Sequence, residues 1–284
     1  MWIQSKRFAF TILLITAVFY CLTGGAAISA NEPVGLAAYT LGLPQFDWQT
    51  RTSEHFRIHY LPNSAAASVI DELIDRNERT LRNHLSILQE LEYRQTIDLF
   101  YFDSREQIKE VVTKPFRALA DAASLTVLAV RSETDIARDA HELMHVVSFD
   151  LWGGWQRRDE IAWLSEGLAT FSDIPCNGYD MTELAAHILS KTDKGAPLDS
   201  LASNFRDYPE MIGYVLMASF VDYIMNTYGA ESLKELWKRG YAEIEKVLGK
   251  DKSSIESDWH KFVHDRYPNP QVSDWPDLEQ NGCK

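Results

Sequence analysis

Cysteine is scarce in this chain, with three in 284 residues, and no C-x-x-C pair occurs, which argues against a thiolate zinc cage. Internal repeats and low-complexity tracts are lacking too, so a solenoid is not expected. No long basic run is present and the net charge is −13. That balance argues against nucleic acid or an anionic membrane as partner. What remains is ordinary globular composition, 45% hydrophobic and 24% charged, which speaks against disorder and fibre.

The N-terminus has the layout of an export signal. Lys6 and Arg7 precede a fifteen-residue apolar run, Phe8 to Leu22, short for a bilayer span. Small residues follow from Gly24 to Ala30, so residues 1–30 read as a signal peptide, with an uncleaved anchor as the alternative. Contact with a membrane is expected only in that second case. Tyr20 before Cys21 is poor context for lipoprotein processing. The body is therefore expected to be secreted or extracytoplasmic, in the cell envelope. Cys176 and Cys283 remain. An exported compartment permits them to pair, and two free thiols fit the sequence equally well, because spacing along the chain does not give their separation.

Residues 31–52 read as an irregular lead-in that Phe46 and Trp48 tack onto the body. Glu54 to Tyr60 alternates apolar and polar, which predicts a half-buried strand. Ser64 can cap a helix running to about Glu90, with Ile70, Leu73, Ile74, Asn77, Leu81, Leu85 and Leu88 on one stripe. Thr96 to Phe102 and Ser124 to Val130 read as further strands, separated by a short helix that Ser104 and Gln107 cap. Thr134 or Asp135 is the expected cap of the next helix, which should run to about Phe149 before Gly153-Gly154. Asp159 is the expected cap of the one after that. Helices dominate beyond Pro175, with Ser253 and Glu256 as a capping box near the end. The fold class is α+β: a small N-terminal sheet-plus-helix lobe and a mainly helical C-terminal lobe, together covering 53–267. Residues 268–284 are expected to form a surface tail.

The chemistry concentrates at His141-Glu142-Leu143-Met144-His145. On a helix, residues four apart share a face, so the two imidazoles can address a single ion. Glu142 lies about 100° round the helix and can reach a water beside that ion without ligating it. A third ligand is needed, and Glu166 on the next helix, separated from His145 by twenty residues, can supply it. His141, His145, Glu166 and a water fill four positions around one Zn2+ per chain.

With Trp163-Leu164-Ser165-Glu166-Gly167-Leu168-Ala169, this pattern resembles the gluzincin metallopeptidases, and more narrowly the peptidase MA-like family of bacterial proteins. The segments Glu54–Tyr60, Tyr214–Gly229 and Trp259–Phe262 are similar to that family in pattern, so the resemblance spans about 50–266. It implies a zincin-like fold and a zinc hydrolase of peptide bonds, probing peptide or protein substrates, with Glu142 as general base and acid for a zinc-activated water. It also implies a tyrosine donor for the oxyanion, for which Tyr214 is the first candidate and His187 a weaker one. In some gluzincins an Asp stands one turn after the ligand Glu and orients a histidine. Thr170 occupies that position here, which leaves Asp173 or Asp139 to substitute. The superfamily also pairs extended substrate with a sheet edge, for which Ser124–Val130 is the candidate. Arg157 and Arg158 lie between the two metal-bearing helices, where a solvated turn accounts for them. Endopeptidase action is the leading expectation. The alternatives are a catalytically silent zinc-containing peptide binder and a zinc hydrolase of a non-peptide amide.

Overall fold

A computed structural model describes residues 35–173 and 175–283; the signal-like segment 1–30 lies outside them. The described chain is α+β, built on one five-stranded sheet. The elements of its first part are α1 (Gly35–Leu41), β1 (Gln49–Thr52), β2 (Phe56–Tyr60), α2 (Ala65–Ser68), α3 (Ile70–Leu88), β3 (Ile97–Phe102), α4 (Arg105–Val112), β4 (Ala118–Asp121) and β5 (Thr126–Val130). The strand order is β1-β2-β3-β5-β4. The three central strands run parallel, with Ile58 opposite Leu99 and Leu99 opposite Val127, and β1 and β4 flank them antiparallel.

Both faces of this sheet are covered, so β2 is not the half-buried strand its alternation suggests. Phe56, Ile58 and Tyr60 enter the main core. The opposite face packs Phe100 and Phe102 of β3 under Phe46, Trp48 and α4. His59 stacks on Phe100 at 4.3 Å between ring centres. Asp98 accepts a bidentate pair from Arg57, at 2.7 and 2.6 Å, and stands 2.9 Å from His59 Nε2. Such buried charge is tolerable because each polar atom has a partner. The lead-in is also more ordered than expected, since it contains α1 and β1. Neither carries a strong signal: β1 reads Gln-Thr-Arg-Thr and is exposed throughout.

Ser64 caps α2 by accepting from the Ala67 N–H at 3.0 Å, and a break at Val69 divides the expected single helix into α2 and α3. Ser104 accepts from the Gln107 N–H at 3.4 Å, while the Gln107 side chain takes the Asp103 N–H at 2.7 Å. Neither Thr134 nor Asp135 caps the motif helix, α5 (Asp139–Trp152). Asp135 is instead held by Arg105 and Arg117, and the helix starts four residues later, after Arg138. It ends at Gly153, whose φ of +75° suits glycine.

The remaining helices are α6 (Ala162–Ser172), α7 (Met181–Lys191), α8 (Leu198–Ser203), α9 (Glu210–Thr227), α10 (Ala230–Arg239), α11 (Ile244–Leu248), α12 (Lys252–Arg266) and α13 (Trp275–Asn281). Asp159 does not cap α6, whose start at Ile161 has no side-chain cap. Asp251, not Ser253, caps α12, and Glu256 accepts from the Leu198 N–H. α9 is apolar almost all round and is buried from Met211 to Ile224 except at Tyr214. α6 lies against it so closely that a Cβ on Gly167 would stand 2.8 Å from the Met217 carbonyl oxygen. The segment after Pro268 is not a loose surface extension. Trp275 and Leu278 of α13 are buried, and Cys283 is disulfide-bonded to Cys176. Among the described residues, no helix is long and apolar enough to cross a membrane.

Candidate metal centre

α5 and α6 together place three ligand-type atoms at one point. His141 and His145, one turn apart, bring their Nε2 atoms to 3.2 Å from each other. Glu166 Oε2 stands 3.2 Å from the first and 3.1 Å from the second. Ligands about 2.0–2.1 Å from a tetrahedral zinc stand about 3.3 Å apart, so this donor set fits the ion. The trio opens onto a cleft of about 710 Å3, which Glu142 and Tyr214 also line. A second cluster, Glu54, His55 and Glu78, is less suited to a metal. There Glu78 already accepts from the Ser53 hydroxyl, the His55 backbone N–H and His55 Nδ1, which locks the start of β2.

The electrostatics follow from burial and neighbours. Burial pushes the Glu166 carboxyl up, but the adjacent imidazoles outweigh it and hold the group well below the usual carboxylate range. Burial pushes His141 down, and Glu166 and Glu142 more than reverse this, leaving it raised. Glu142 is raised by burial against the pull of both histidines and of the Ala120 backbone N–H on β4. The Tyr214 ring lies nearly parallel to His141, 6.3 Å between centres, and burial followed by the charge of Glu166 pushes its phenol up.

The supporting residues divide clearly. Asp139 faces away, taking the Tyr101 hydroxyl at 2.5 Å and an Arg76 guanidinium N–H. Asp173 lines the cleft with its side chain buried, pairs with Arg138 at 2.8 Å, and its charge acts on His141. The Thr170 hydroxyl is buried without a hydrogen-bond partner among the described residues. His187 lies elsewhere, packed on Trp275. Ser124–Val130 is not an edge, because β5 is paired on both sides. The edge strands are β1 and β4, and Ala118 to Ala120 of β4 line the cleft. Arg157 ties its loop to the carbonyls of Trp237 and Lys238.

Two residues near the trio carry no sequence signal. His84 on α3 is buried with neither ring nitrogen hydrogen-bonded among the described residues, and burial followed by the charge of His141 lowers it to about 3. Arg206, in a 3₁₀ turn before α9, stands 3.7 Å from Glu166 Oε1. Both depend on tertiary approach alone.

No protein-family model matches this chain, and no curated protein does either, so the narrower likeness to the peptidase MA-like family rests on its motifs. Among solved structures, the chain is similar to an aminopeptidase N family protein from Idiomarina loihiensis, at 12% identity and a TM-score of 0.35. The match covers 84% of this chain and 46% of that one, so the chain spans less than half that protein's length.

Proposed function

We propose that this protein is an exported zinc metallopeptidase of the gluzincin type, acting on peptide or protein substrates as an endopeptidase. The observation that carries this reading is the convergence of His141 Nε2, His145 Nε2 and Glu166 Oε2 beside Glu142 in one open cleft. Two neutral nitrogens and one carboxylate, with room left for water, make a catalytic rather than a closed structural donor set. The ion supplies Lewis acidity there when bound. Glu142 takes a proton from the attacking water and returns it to the leaving amine. Tyr214 donates its hydroxyl hydrogen to the developing oxyanion. The outer edge of β4, whose Ala120 N–H already serves Glu142, offers its remaining backbone groups to an extended substrate. The basic-then-apolar N-terminal segment and the Cys176–Cys283 disulfide support an extracytoplasmic location.

Digestion of a broad peptide library tests the reading. Cleavage that stops on chelation and returns with zinc is expected. A zinc-loaded wild type that cleaves no peptide overturns it, and activity on other amides in that protein points to a non-peptide substrate.

A further inference from the structure

The cleft is lined by five arginines, at 105, 117, 138, 158 and 206, and by no lysine. This stands out in a chain with 41 acidic and 28 basic residues. The lining carboxylates are Glu142, Glu166, Asp173 and Glu210, and the first two belong to the metal centre. Arg138 is matched by Asp173 at 2.8 Å. Arg105 and Arg117 share the single carboxylate of Asp135, at 2.8 and 2.6 Å. Arg158 reaches no carboxylate among the described residues. It donates to the Trp155 carbonyl at 3.4 Å and lies over the Trp155 ring at 4.8 Å. Arg206 is 60% exposed and approaches Glu166 and Asp159 only at 3.7 and 3.8 Å, beyond a direct hydrogen bond.

The cleft thus presents two guanidinium groups, on Arg158 and Arg206, that no close ion pair occupies among the described residues, and planar guanidiniums grip carboxylates with two parallel bonds. Arg206 stands beside the oxygen of Glu166 that points away from the histidines. Arg158 lies further along, where Trp155 packs on Phe149, one turn beyond His145. We infer that the cleft selects peptides bearing an acidic side chain close to the scissile bond. Arg206 receives that carboxylate, and Arg158 raises the local concentration of acidic chains. This inference rests on the peptidase reading above.

Paired labelled peptides differing only by Asp or Asn at positions flanking the bond test it. Their binding is measured on full-chain Glu142→Gln protein with zinc supplied, and wild-type cleavage of the same peptides is followed in parallel. The Asp peptide is expected to bind at least about ten-fold tighter at about 50 mM salt, and the advantage should shrink at about 0.5 M. Adding Arg206→Gln should cut it to about three-fold or less, Arg158→Gln should reduce it in part, and Arg206→Lys should fall between. Arg94→Gln, which removes an exposed cation paired with Glu92 outside the cleft, should leave it unchanged. Equal binding of the Asp and Asn peptides overturns the inference, as does an advantage that survives loss of both Arg206 and Arg158. Selective binding without cleavage of any peptide sinks the peptidase reading and leaves the charge selection standing. Cleavage indifferent to the acid does the reverse.

Discussion

Gly167 follows the candidate ligand Glu166, and its lack of a side chain lets α6 rest on α9. In Gly167→Ala, the new Cβ would meet Met217 O, C and Cβ at 2.8, 2.9 and 3.0 Å. Two of these are backbone atoms inside a buried helix, so rotamer changes cannot relieve the clash. Restoring an ordinary 3.4 Å contact requires the helices to part by about 0.6 Å. Overpacking of this kind costs about 1–3 kcal/mol, and rigid backbone places it at the upper end. Alanine regains up to about 1 kcal/mol of helix propensity, which leaves a net loss of about 2 kcal/mol. For a chain of this size the melting temperature should fall by about 4–8 °C. The same displacement moves Glu166 relative to the histidines of α5, so zinc affinity should weaken about ten-fold. Thermal melts of chelated protein and a zinc titration read the two effects separately. A variant that melts at or above the wild-type temperature and holds zinc equally well would refute the reasoning.

Other perturbations reach different parts of the account. Asp98→Ala strands Arg57 in the sheet and should cost about 3–5 kcal/mol in urea unfolding. Burial pushes Asp98 up, but Arg57 and His59 outweigh it, so its folded pKa is depressed. Its contribution is therefore present above the ordinary carboxylate pKa of about 4 and lost as pH falls through the folded value. Wild type should lose stability more steeply than Asp98→Asn as pH drops from about 5 to about 2. Replacing both Cys176 and Cys283 with Ser removes a link across 107 residues and should cost about 2–4 kcal/mol, with α13 more open to protease. Tyr214→Phe should lower kcat about 100-fold with little change in KM; an unchanged kcat would remove Tyr214 from the proposed mechanism.

The sequence discloses those features that strong local patterns impose. β3 and β5 are apolar at nearly every position, and α3 carries a long stripe, so both kinds of element are readable. His141 and His145 are bound to one face by helix geometry alone. Weakly patterned elements are not legible: β1 is polar and exposed, and β4 is only the four residues Ala-Leu-Ala-Asp. Helix starts were misplaced because Asp135 has a choice of partners that only the fold decides, and Arg105 and Arg117 claim it. The exchange of β5 for β4 as an edge strand has the same origin, since pairing order is a long-range property. His84 and Arg206 enter the site from distant parts of the chain, through packing that no local spacing encodes.

The central claim is that His141, His145 and Glu166 hold one zinc while Glu142 moves the proton. Zinc stoichiometry and peptide hydrolysis, measured together on wild type, His145→Ala, Glu166→Ala and Glu142→Gln, test it most directly. One zinc per chain is expected in wild type and in Glu142→Gln, with hydrolysis in wild type alone, and both ligand variants should lose the metal. Wild type that takes up no zinc, or Glu142→Gln that cleaves at the wild-type rate, would contradict the account.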